Sequence, residues 1–453
     1  MTRPAPADAA VPAPDATLLP PDDEQVPPMI EHAPAALPAD QDATAGPAPV
    51  ADRPVSLWRN RAFNLLWVSQ CLSDLGATMS NLALPLLVLY VTGSPTQAGL
   101  VGTAGLLVTL ACRLPAGVLA DRFDRRRLMV LCDVVRIGAY LALGVAVLAG
   151  AASLPMILVV AVIGAAGNAV FGTAEHAAVR NLVPAAQLST AVARNEARTY
   201  GTQLAGPPLG GLLFGLGRSL PFLGNALTYL LSLVAVLLIR EPMQQPRERA
   251  PESGGAAVAE GIRFVLANPF LRALLVIAAP LNMAFTGMIF ALIVSLQRSG
   301  TPPALVGVAS TIFGLGGFLG AFAAPMVQRW LRLPTLVVVL CWATAALMAV
   351  STLFPTSVLA AVPLAAAVLL APTANAVLFG YQAEITPDRL QGRVVSVIFL
   401  AATSAAALAP GLAGLLLAHF STGTAMLVFP ALVAVSAVTA TFSTGIRTMR
   451  TKS

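Results

Sequence analysis

Apolar runs of about 18 to 25 residues repeat along the chain from Phe63 onward, with short turns between them. A helix of about 20 apolar residues crosses the hydrocarbon core of a bilayer, so each run predicts one membrane-spanning helix. A polar stretch from Arg240 to about Glu260 divides the runs into two sets of six. The predicted helices cover residues 63–91, 98–119, 128–149, 154–174, 188–216 and 221–239, then 270–296, 304–328, 334–353, 357–380, 392–418 and 423–445.

The composition agrees with a polytopic membrane protein. The chain has 453 residues, of which 57% are hydrophobic and 11% charged, and its mean hydropathy is +0.78. Soluble proteins carry about 25% charged residues, so most of this surface cannot face water. The formal charge of +6 comes almost wholly from arginine. Because the arginines lie in turns between apolar runs, they suit lipid headgroups, and we expect no nucleic-acid partner.

The distribution of arginine between the turns predicts the topology. One set of turns carries most of these residues, whereas the opposite turns hold only Arg218 and Arg298. Arginine-rich turns stay on the cytoplasmic side of the membrane, so both termini are predicted to be cytoplasmic. The predicted membrane is the cell membrane of a bacterium. The arginine-rich side includes Arg122, Arg125, Arg126, Arg127, Arg180, Arg240, Arg247, Arg249, Arg263, Arg329, Arg332, Arg389 and Arg393.

The ends of the chain differ from the apolar body. Residues 1–56 are acidic and rich in Pro and Ala, and they lack the periodicity that would let them bury apolar area. They are therefore predicted to be a disordered cytoplasmic tail, and they do not have the pattern of a signal peptide. The predicted division is this tail, a first six-helix bundle (57–240), a cytoplasmic linker (241–267), a second six-helix bundle (268–446) and a basic tail (447–453).

The two sets of helices are similar in sequence. Short motifs recur at offsets of 208, 207 and 203 residues, which indicates two bundles running in the same direction. Such bundles are related by an axis along the membrane normal and can rock about a central site. The matching positions are Asn60 with Asn268, Asn168-Ala169-Val170 with Asn375-Ala376-Val377, Pro184 with Pro387, and 206–211 with 409–414.

The stretch Gly117–Arg127 is the most highly charged part of the apolar body. Its ionised groups would each cost about 2.5–3.5 kcal/mol in hydrocarbon, so it is predicted to form a cytoplasmic loop. It resembles the signature loop of the major facilitator superfamily, G-x-L-A-D-R-x-G-R-R, with Asp124 where the family usually has Gly. The matching residues are Gly117, Leu119, Ala120, Asp121, Arg122, Arg125 and Arg126.

The resemblance implies a fold and a role for this loop. The fold is all-α, with twelve transmembrane helices in two pseudo-symmetric six-helix bundles, and the family is usually monomeric. In the family, the acid at the position of Asp121 locks the two bundles together beside a helix end of the other half. A carboxylate is favourable at a helix N-terminus, which agrees with that role. The alternative is that the loop only determines topology.

The fifth helix resembles a second pattern of the superfamily, the antiporter motif G-P-x-x-G-G. The matching residues are Gly206, Pro207, Gly210 and Gly211, and in the superfamily this motif is typical of exporters. The alternative is ordinary packing of small residues. The fourth helix lacks the arginine that drug–proton antiporters often carry. The layout resembles the branch with macrolide and enterobactin exporters, on the evidence of Ser73-Asp74-Leu75-Gly76, Thr92-Gly93-Ser94-Pro95 and Asn181-Leu182-Val183-Pro184.

Asp74 lies near the middle of the first helix and is the candidate proton-coupling residue. Gln70, Asp74 and Asn81 share one helical face, which is predicted to line a central cavity with Asn282 opposite. The alternative for Asp74 is a fixed ion pair with Arg113 or Arg136. Arg136 is a further candidate for the cavity or for proton coupling, and it is also expected to neutralise Asp133, mainly as a structural pair. Further polar cavity candidates are Asn168, Gln203, Asn225 and Asn375. The charges that flank the loop between the fourth and fifth helices are expected to be interfacial, and the alternative is a gate network; they are Glu175, Arg194, Glu196 and Arg198.

These features favour a secondary exporter of a small amphipathic or hydrophobic compound, driven by proton entry. The chain has no GxxxxGK[ST] sequence, so ATP is not expected to be the direct energy source. The alternatives are an importer or uniporter of the same fold and a membrane receptor or enzyme. An enzyme would need a clustered nucleophile and base or a metal site, and no such cluster is evident in the sequence. We expect no cofactor and no metal, and the four cysteines are interpreted as small apolar residues.

Overall fold

Fourteen α-helices and four 3₁₀-helices of three residues each make up the regular structure of the described residues. The structure is a computed structural model, and it describes residues 57–244, 255–329 and 333–447, all within the compact unit Pro54–Ser453. The helices are α1 (Arg61–Thr92), α2 (Pro95–Arg122), α3 (Arg125–Leu148), α4 (Leu154–Leu182), α5 (Leu188–Leu216), α6 (Leu220–Leu238), α7 (Gly255–Ala267), α8 (Pro269–Arg298), α9 (Pro303–Val327), α10 (Leu333–Ser351), α11 (Ala361–Ile385), α12 (Gln391–His419), α13 (Thr422–Phe442) and α14 (Thr444–Arg447).

The predicted acidic tail, most of the predicted linker and the end of the basic tail lie outside the described residues. Within the described ranges, the twelve helices α1–α6 and α8–α13 correspond to the twelve predicted spans. Eleven of them are long and apolar enough to cross a membrane. The remaining one, α5, has 29 residues, but its first half carries Arg194, Glu196 and Arg198, which lower its mean hydropathy.

The internal repeat is confirmed at the level of helix packing. In the first half, α1 packs against α5 and α6, α2 against α4, and α3 against α4 and α6. In the second half, the equivalent helices pair in the same way: α8 with α12 and α13, α9 with α11, and α10 with α11 and α13. The halves meet through two equivalent contacts, α2 with α12 and α5 with α9. This is the pseudo-symmetric arrangement of two six-helix bundles that the sequence predicts.

Two repeat-related asparagines begin the first helix of each half. The side-chain oxygen of Asn60 accepts from the backbone N–H of Phe63 at 3.0 Å. Asn268, 208 residues later, accepts from the backbone N–H groups of Phe270 and Leu271 at 2.9 and 3.3 Å. Such N-caps satisfy donors that the first turn of a helix leaves free.

The structure differs from one local prediction and adds a helix at a second place. The charged stretch 117–127 was predicted as a loop, but α2 continues to Arg122 and α3 begins at Arg125. The turn is short because the Asp124 carboxylate caps α3 by accepting from the backbone N–H of Arg127 at 2.8 Å. Within the region predicted as a cytoplasmic linker (241–267), α7 forms at its end, and Glu260 of α7 pairs with Arg389 and Arg393.

Candidate functional site

A cavity of about 480 Å³ lies between the two halves. Helices α1–α5 contribute one wall, and α8, α9 and α12 contribute the other. Among its described lining residues none is charged, and most of the lining is apolar. The polar groups are hydroxyls and amides from Thr78, Asn81, Thr109, Tyr140, Asn168, Gln203, Thr286 and Ser310. Few polar groups in an apolar enclosure are typical of sites for small amphipathic molecules.

The structure brings together some of the predicted cavity residues and separates others. Asn81, Asn168 and Gln203 line the central cavity as predicted. Asn282 and Asn375 do not, because they line a second cavity of about 200 Å³ within the second half.

The prediction for Asn225 was also wrong, since its side chain is fully buried and donates to the Ser80 hydroxyl at 2.7 Å. The sequence analysis missed Thr78 and Thr286, which line the central cavity and are 208 residues apart. The sequence contained a signal for both residues. Thr78 lies one helical turn after Asp74, on the same face of α1, and the repeat offset of 208 leads from Thr78 to Thr286.

Arg136 lies behind the cavity wall rather than in it. Its side chain is fully buried, and it forms the predicted ion pair with Asp133. The guanidinium lies over the rings of Phe171 and Tyr229, at 4.7 and 4.1 Å from their centroids. It also donates to the side-chain oxygen of Asn168, which lines the cavity. This bond directs the oxygen of Asn168 away from the cavity and leaves its NH₂ group as a donor.

Asp74 pairs with a residue that the sequence analysis did not consider as its partner. Its carboxylate lies 3.4 Å from the guanidinium of Arg198 on α5, not next to Arg113 or Arg136. The same guanidinium lies 3.7 Å from Glu175 on α4. Arg198 and Glu175 were predicted to be interfacial, but their side chains are 3% and 1% exposed.

The buried cluster of Asp74, Glu175 and Arg198 reaches the surface of the protein. Glu175 lies 3.0 Å from His176, whose side chain is 73% exposed, and accepts from Asn195 at 3.3 Å. Of the helical face predicted to line the central cavity, only Asn81 does so, because neither Asp74 nor Gln70 is among the described lining residues and Gln70 is buried. Sequence spacing could not reveal this cluster, because its members lie on three different helices.

The charged residues between α2 and α3 hold the ends of several helices together. The side chain of Arg125 is buried and donates to the backbone oxygens of Ala177 at 3.0 Å and Met243 at 3.1 Å, which lie at the end of α4 and after α6. Asp121 lies 4.0 Å from Arg125, and its side chain is 58% exposed. Gly117 faces open space, and Arg122 is exposed. The role of Asp121 in locking the two bundles stays a prediction.

The glycines of the antiporter-type motif bring three helices close together. A Cβ atom at Gly206 would lie 1.9 Å from the Thr78 hydroxyl oxygen, and one at Gly210 would lie 2.6 Å from the Met79 carbonyl oxygen, both on α1. On the other face of α5, a Cβ at Gly211 would lie 2.2 Å from the Pro303 carbonyl oxygen of α9. The motif therefore allows α5 to contact both its own half and the other half.

The contact between α5 and α9 has a counterpart between α2 and α12. In the α5–α9 contact, Gly211 meets the Pro303 carbonyl and Gly307 meets the Pro207 carbonyl. In the α2–α12 contact, Gly414 meets the Pro95 carbonyl and Gly99 meets the Pro410 carbonyl. The distances for a Cβ at each of these four glycines are 2.2 to 2.4 Å. Both contacts lie at the end of the bundle away from the arginine-rich turn between α2 and α3.

Residues 66–380 match the sequence model of the Major Facilitator Superfamily, which is well over half of the chain. The chain belongs to the Major Facilitator Superfamily. It is therefore a multi-pass membrane transporter with the fold that the helix pattern and the signature residues predicted. Members of this superfamily are in general not enzymes, and they carry small-molecule substrates.

Several bacterial members of the superfamily are similar to this chain in sequence. It is 27% identical over 350 residues to the multidrug efflux pump Tap of Mycolicibacterium fortuitum, covering 75% of this chain and 85% of that protein. It is 28% identical over 373 residues to the Tap protein of Mycobacterium tuberculosis, covering 80% and 86%. Macrolide efflux protein A of Streptococcus pyogenes is 21% identical over 267 residues, covering 57% and 64%. These relatives agree with the predicted resemblance to the exporter branch.

Solved structures of the superfamily share the fold. A bacterial homologue of the lysosomal transporter Spinster, in an inward-facing and unoccupied conformation, has a TM-score of 0.64 at 17% identity, covering 87% of this chain and 98% of that one. The nucleoside transporter NupG has a TM-score of 0.64 at 11% identity, covering 85% and 99%. At these identities the likeness concerns the fold alone.

Proposed function

We propose that this transporter exports small, uncharged amphipathic molecules from the cytoplasm by alternating access, driven by proton entry. The observation that carries the proposal is the central cavity, which lies between the two halves and has no charged lining among its described residues. A cavity without ionised groups favours solutes that need little electrostatic compensation when they leave water. The efflux pumps among the relatives support the outward direction.

The helix contacts support a conformation that is open towards the cytoplasm. The α5–α9 and α2–α12 contacts close the end away from the arginine-rich turn, and that turn is predicted to be cytoplasmic. A substrate would enter the cavity from the cytoplasm in this state. It would leave on the other side after both contacts have separated and the halves have rocked about the cavity.

Asp74 is the proposed proton-coupling residue of this cycle. It is a carboxylate inside a membrane-spanning helix, and its backbone oxygen accepts from the hydroxyl of the cavity-lining Thr78 at 2.9 Å. Intramembrane carboxylates are costly when ionised, so they are a common element of proton relays. Its side chain is 35% exposed, so it can exchange a proton.

Inside-out membrane vesicles with an acidic interior test the proposal. We expect them to accumulate chloramphenicol and Nile red, which are neutral amphipathic probes, and to accumulate the permanent cation ethidium less. Weak bases are unsuitable, because they collect in acidic vesicles without a transporter. Asp74→Asn is expected to abolish the gradient-driven accumulation while the protein remains in the membrane.

The alternative functions give different results in the same assay. An importer would accumulate the probes in right-side-out vesicles, and a uniporter would equilibrate them without regard to the pH gradient. If none of the probes moves in either type of vesicle, export of neutral amphipathic molecules is refuted.

A further inference from the structure

The ion-pair cluster of Asp74, Arg198, Glu175 and His176 differs from an ordinary structural salt bridge. The guanidinium of Arg198 lies between the carboxylates of Asp74 and Glu175, with its Nε 3.4 Å from Asp74 and its Nη1 3.7 Å from Glu175. Neither of these two nitrogens forms a hydrogen bond with a described residue. Distances of this size are longer than charge-assisted N–H···O bonds, which are about 2.7–2.9 Å. The guanidinium is therefore shared between two carboxylates and bound tightly by neither.

The charges of the cluster do not balance without an additional proton. Two carboxylates face one guanidinium, which stays protonated in proteins. Glu175 and Arg198 are almost fully buried, and a net negative charge in such a place is unfavourable. One proton on His176, Glu175 or Asp74 makes the cluster neutral. We infer that these three residues and Arg198 hold one exchangeable proton and together form the coupling site of the transporter. This inference rests on the proposed proton-driven export.

The two ends of the cluster are the accessible ones. His176 is 73% exposed and Asp74 is 35% exposed, whereas Glu175 and Arg198 between them are 1% and 3% exposed. In one state the proton resides on His176 or Glu175, and Arg198 pairs with the ionised Asp74. In the other state Asp74 has gained that proton in an O–H bond and the His176–Glu175 end has lost it. Arg198 then pairs with the ionised Glu175.

When Arg198 changes from one carboxylate partner to the other, the change acts on α5, which also forms the α5–α9 contact between the two halves. Arg198 is on α5, Asp74 is on α1 and Glu175 is on α4. A change of partner therefore pulls α5 towards α1 or towards α4. The same helix carries Gly211 of the α5–α9 contact with the other half. The cluster thus connects the position of a proton to the contact that must separate during transport.

The surroundings contain few other charges that could replace the proton. From α3, Arg136 donates to the hydroxyl of Ser73, the chain neighbour of Asp74, at 3.2 Å, but Arg136 is neutralised by its pair with Asp133. From α1, Cys71 lies near Asp74 and Arg198, and from α5, Asn195 donates to Glu175.

The second half of the protein shows that the fold does not need the charges of the cluster. The position equivalent to Asp74 at the offset of 208 is Asn282, and the position equivalent to Arg198 at the offset of 203 is Ala401. The helices concerned have matching starts, at 61 and 269 and at 188 and 391. The same helix packing therefore forms around a neutral pair, which is an argument for a functional role of the charged one.

Infrared difference spectroscopy of the purified protein without substrate tests the shared proton directly. Between about pH 5 and pH 8, the wild type should show the C=O band of a buried carboxylic acid that changes with pH. Glu175→Gln and Asp74→Asn should each remove or strongly reduce this component. Glu196→Gln, which changes an exposed acid on α5, is the matched control and should leave the band as it is.

His176→Gln provides a variant that spares the fold, because this side chain is mostly exposed. Removing the imidazolium takes away a positive charge beside Glu175, so the carboxyl band should persist to higher pH than in the wild type. A wild-type protein in which neither a carboxyl band nor the imidazolium band of His176 changes with pH would overturn the inference. A carboxyl band that is unchanged in Glu175→Gln would also overturn it.

The vesicle assay separates a failure of this inference from a failure of the proposed function. Glu175→Gln should lose chloramphenicol accumulation driven by the pH gradient but keep exchange of labelled for unlabelled chloramphenicol without a gradient. If Glu175→Gln retains gradient-driven accumulation with the wild-type pH profile, the coupling site is refuted while export stands. If the wild type itself does not respond to the gradient, proton-driven export fails, and the infrared titration still decides whether the cluster holds the proton.

Discussion

Substituting Gly211 by Ala should shift the conformational equilibrium of the transporter towards the state in which the α5–α9 contact is open. The new methyl group would lie 2.2 Å from the Pro303 carbonyl oxygen, 3.0 Å from the Pro303 carbonyl carbon and 3.2 Å from the backbone nitrogen of Gly307. All three atoms belong to the backbone of α9, so no side-chain rotation can relieve the overlap. Ordinary contact begins near 3.4 Å, and the two helices must therefore separate by about 1 Å.

The size of the effect follows from the cost of overpacking. Inserting a methyl group into a tightly packed contact typically costs about 1–3 kcal/mol. This cost applies only to the closed state, because the open state has separated α5 from α9. An energy difference of about 1–3 kcal/mol changes the ratio of the two states about 5- to 150-fold.

A suitable control is Gly215→Ala, one helical turn further along α5, where a Cβ atom would meet nothing within 4 Å. Both substitutions change the helix propensity of α5 by about the same 1 kcal/mol, so that contribution cancels in the comparison. The measurement is the labelling rate of a cysteine at Ser310, which lines the cavity, after the four native cysteines have been replaced. A membrane-impermeant maleimide is added from the side opposite the arginine-rich turn.

The expected result is faster labelling in Gly211→Ala and no change in Gly215→Ala. Gly414→Ala in the α2–α12 contact should behave like Gly211→Ala, because its Cβ would lie 2.4 Å from the Pro95 carbonyl oxygen. Equal labelling of wild type and Gly211→Ala, with both proteins folded and inserted, would show that this contact does not close the outer side of the cavity.

Three further changes test other parts of the structure. Arg136→Met leaves the buried Asp133 without its partner and should destabilise the protein by about 3–5 kcal/mol, measured as a lower melting temperature in detergent and partly restored by adding Asp133→Asn. Asn168→Ala removes an NH₂ donor from the cavity wall and should weaken binding of chloramphenicol more than that of Nile red, measured by competition in the vesicle assay. Glu260→Gln breaks the solvent-accessible ion pairs with Arg389 and Arg393 and should change stability by less than about 1 kcal/mol, so its unchanged melting temperature is the control for the first variant.

Part of the candidate site could be predicted from the sequence. The pair of Asp133 and Arg136 followed from the spacing of three residues on one helix, which places both side chains on neighbouring positions of the same surface. Asn81, Asn168 and Gln203 were found because a polar side chain in an apolar span avoids lipid. That rule does not tell whether a polar helix face lines the central cavity or another buried site. Asn282 satisfies it equally well, yet it lines the second cavity.

The sequence by itself determined the number and length of the spanning helices, their division into two similar halves, the matching positions of Asn60 and Asn268, and the membership of the superfamily. These properties depend on apolar length, on helical period and on short motifs, all of which are local along the chain. Only the tertiary structure decided that Arg198 lies between Asp74 and Glu175, and that the repeated glycines join the two halves at one end. Such contacts depend on the rotation of each helix about its axis and on its shift along that axis. Both are set by packing between segments that are distant in the sequence.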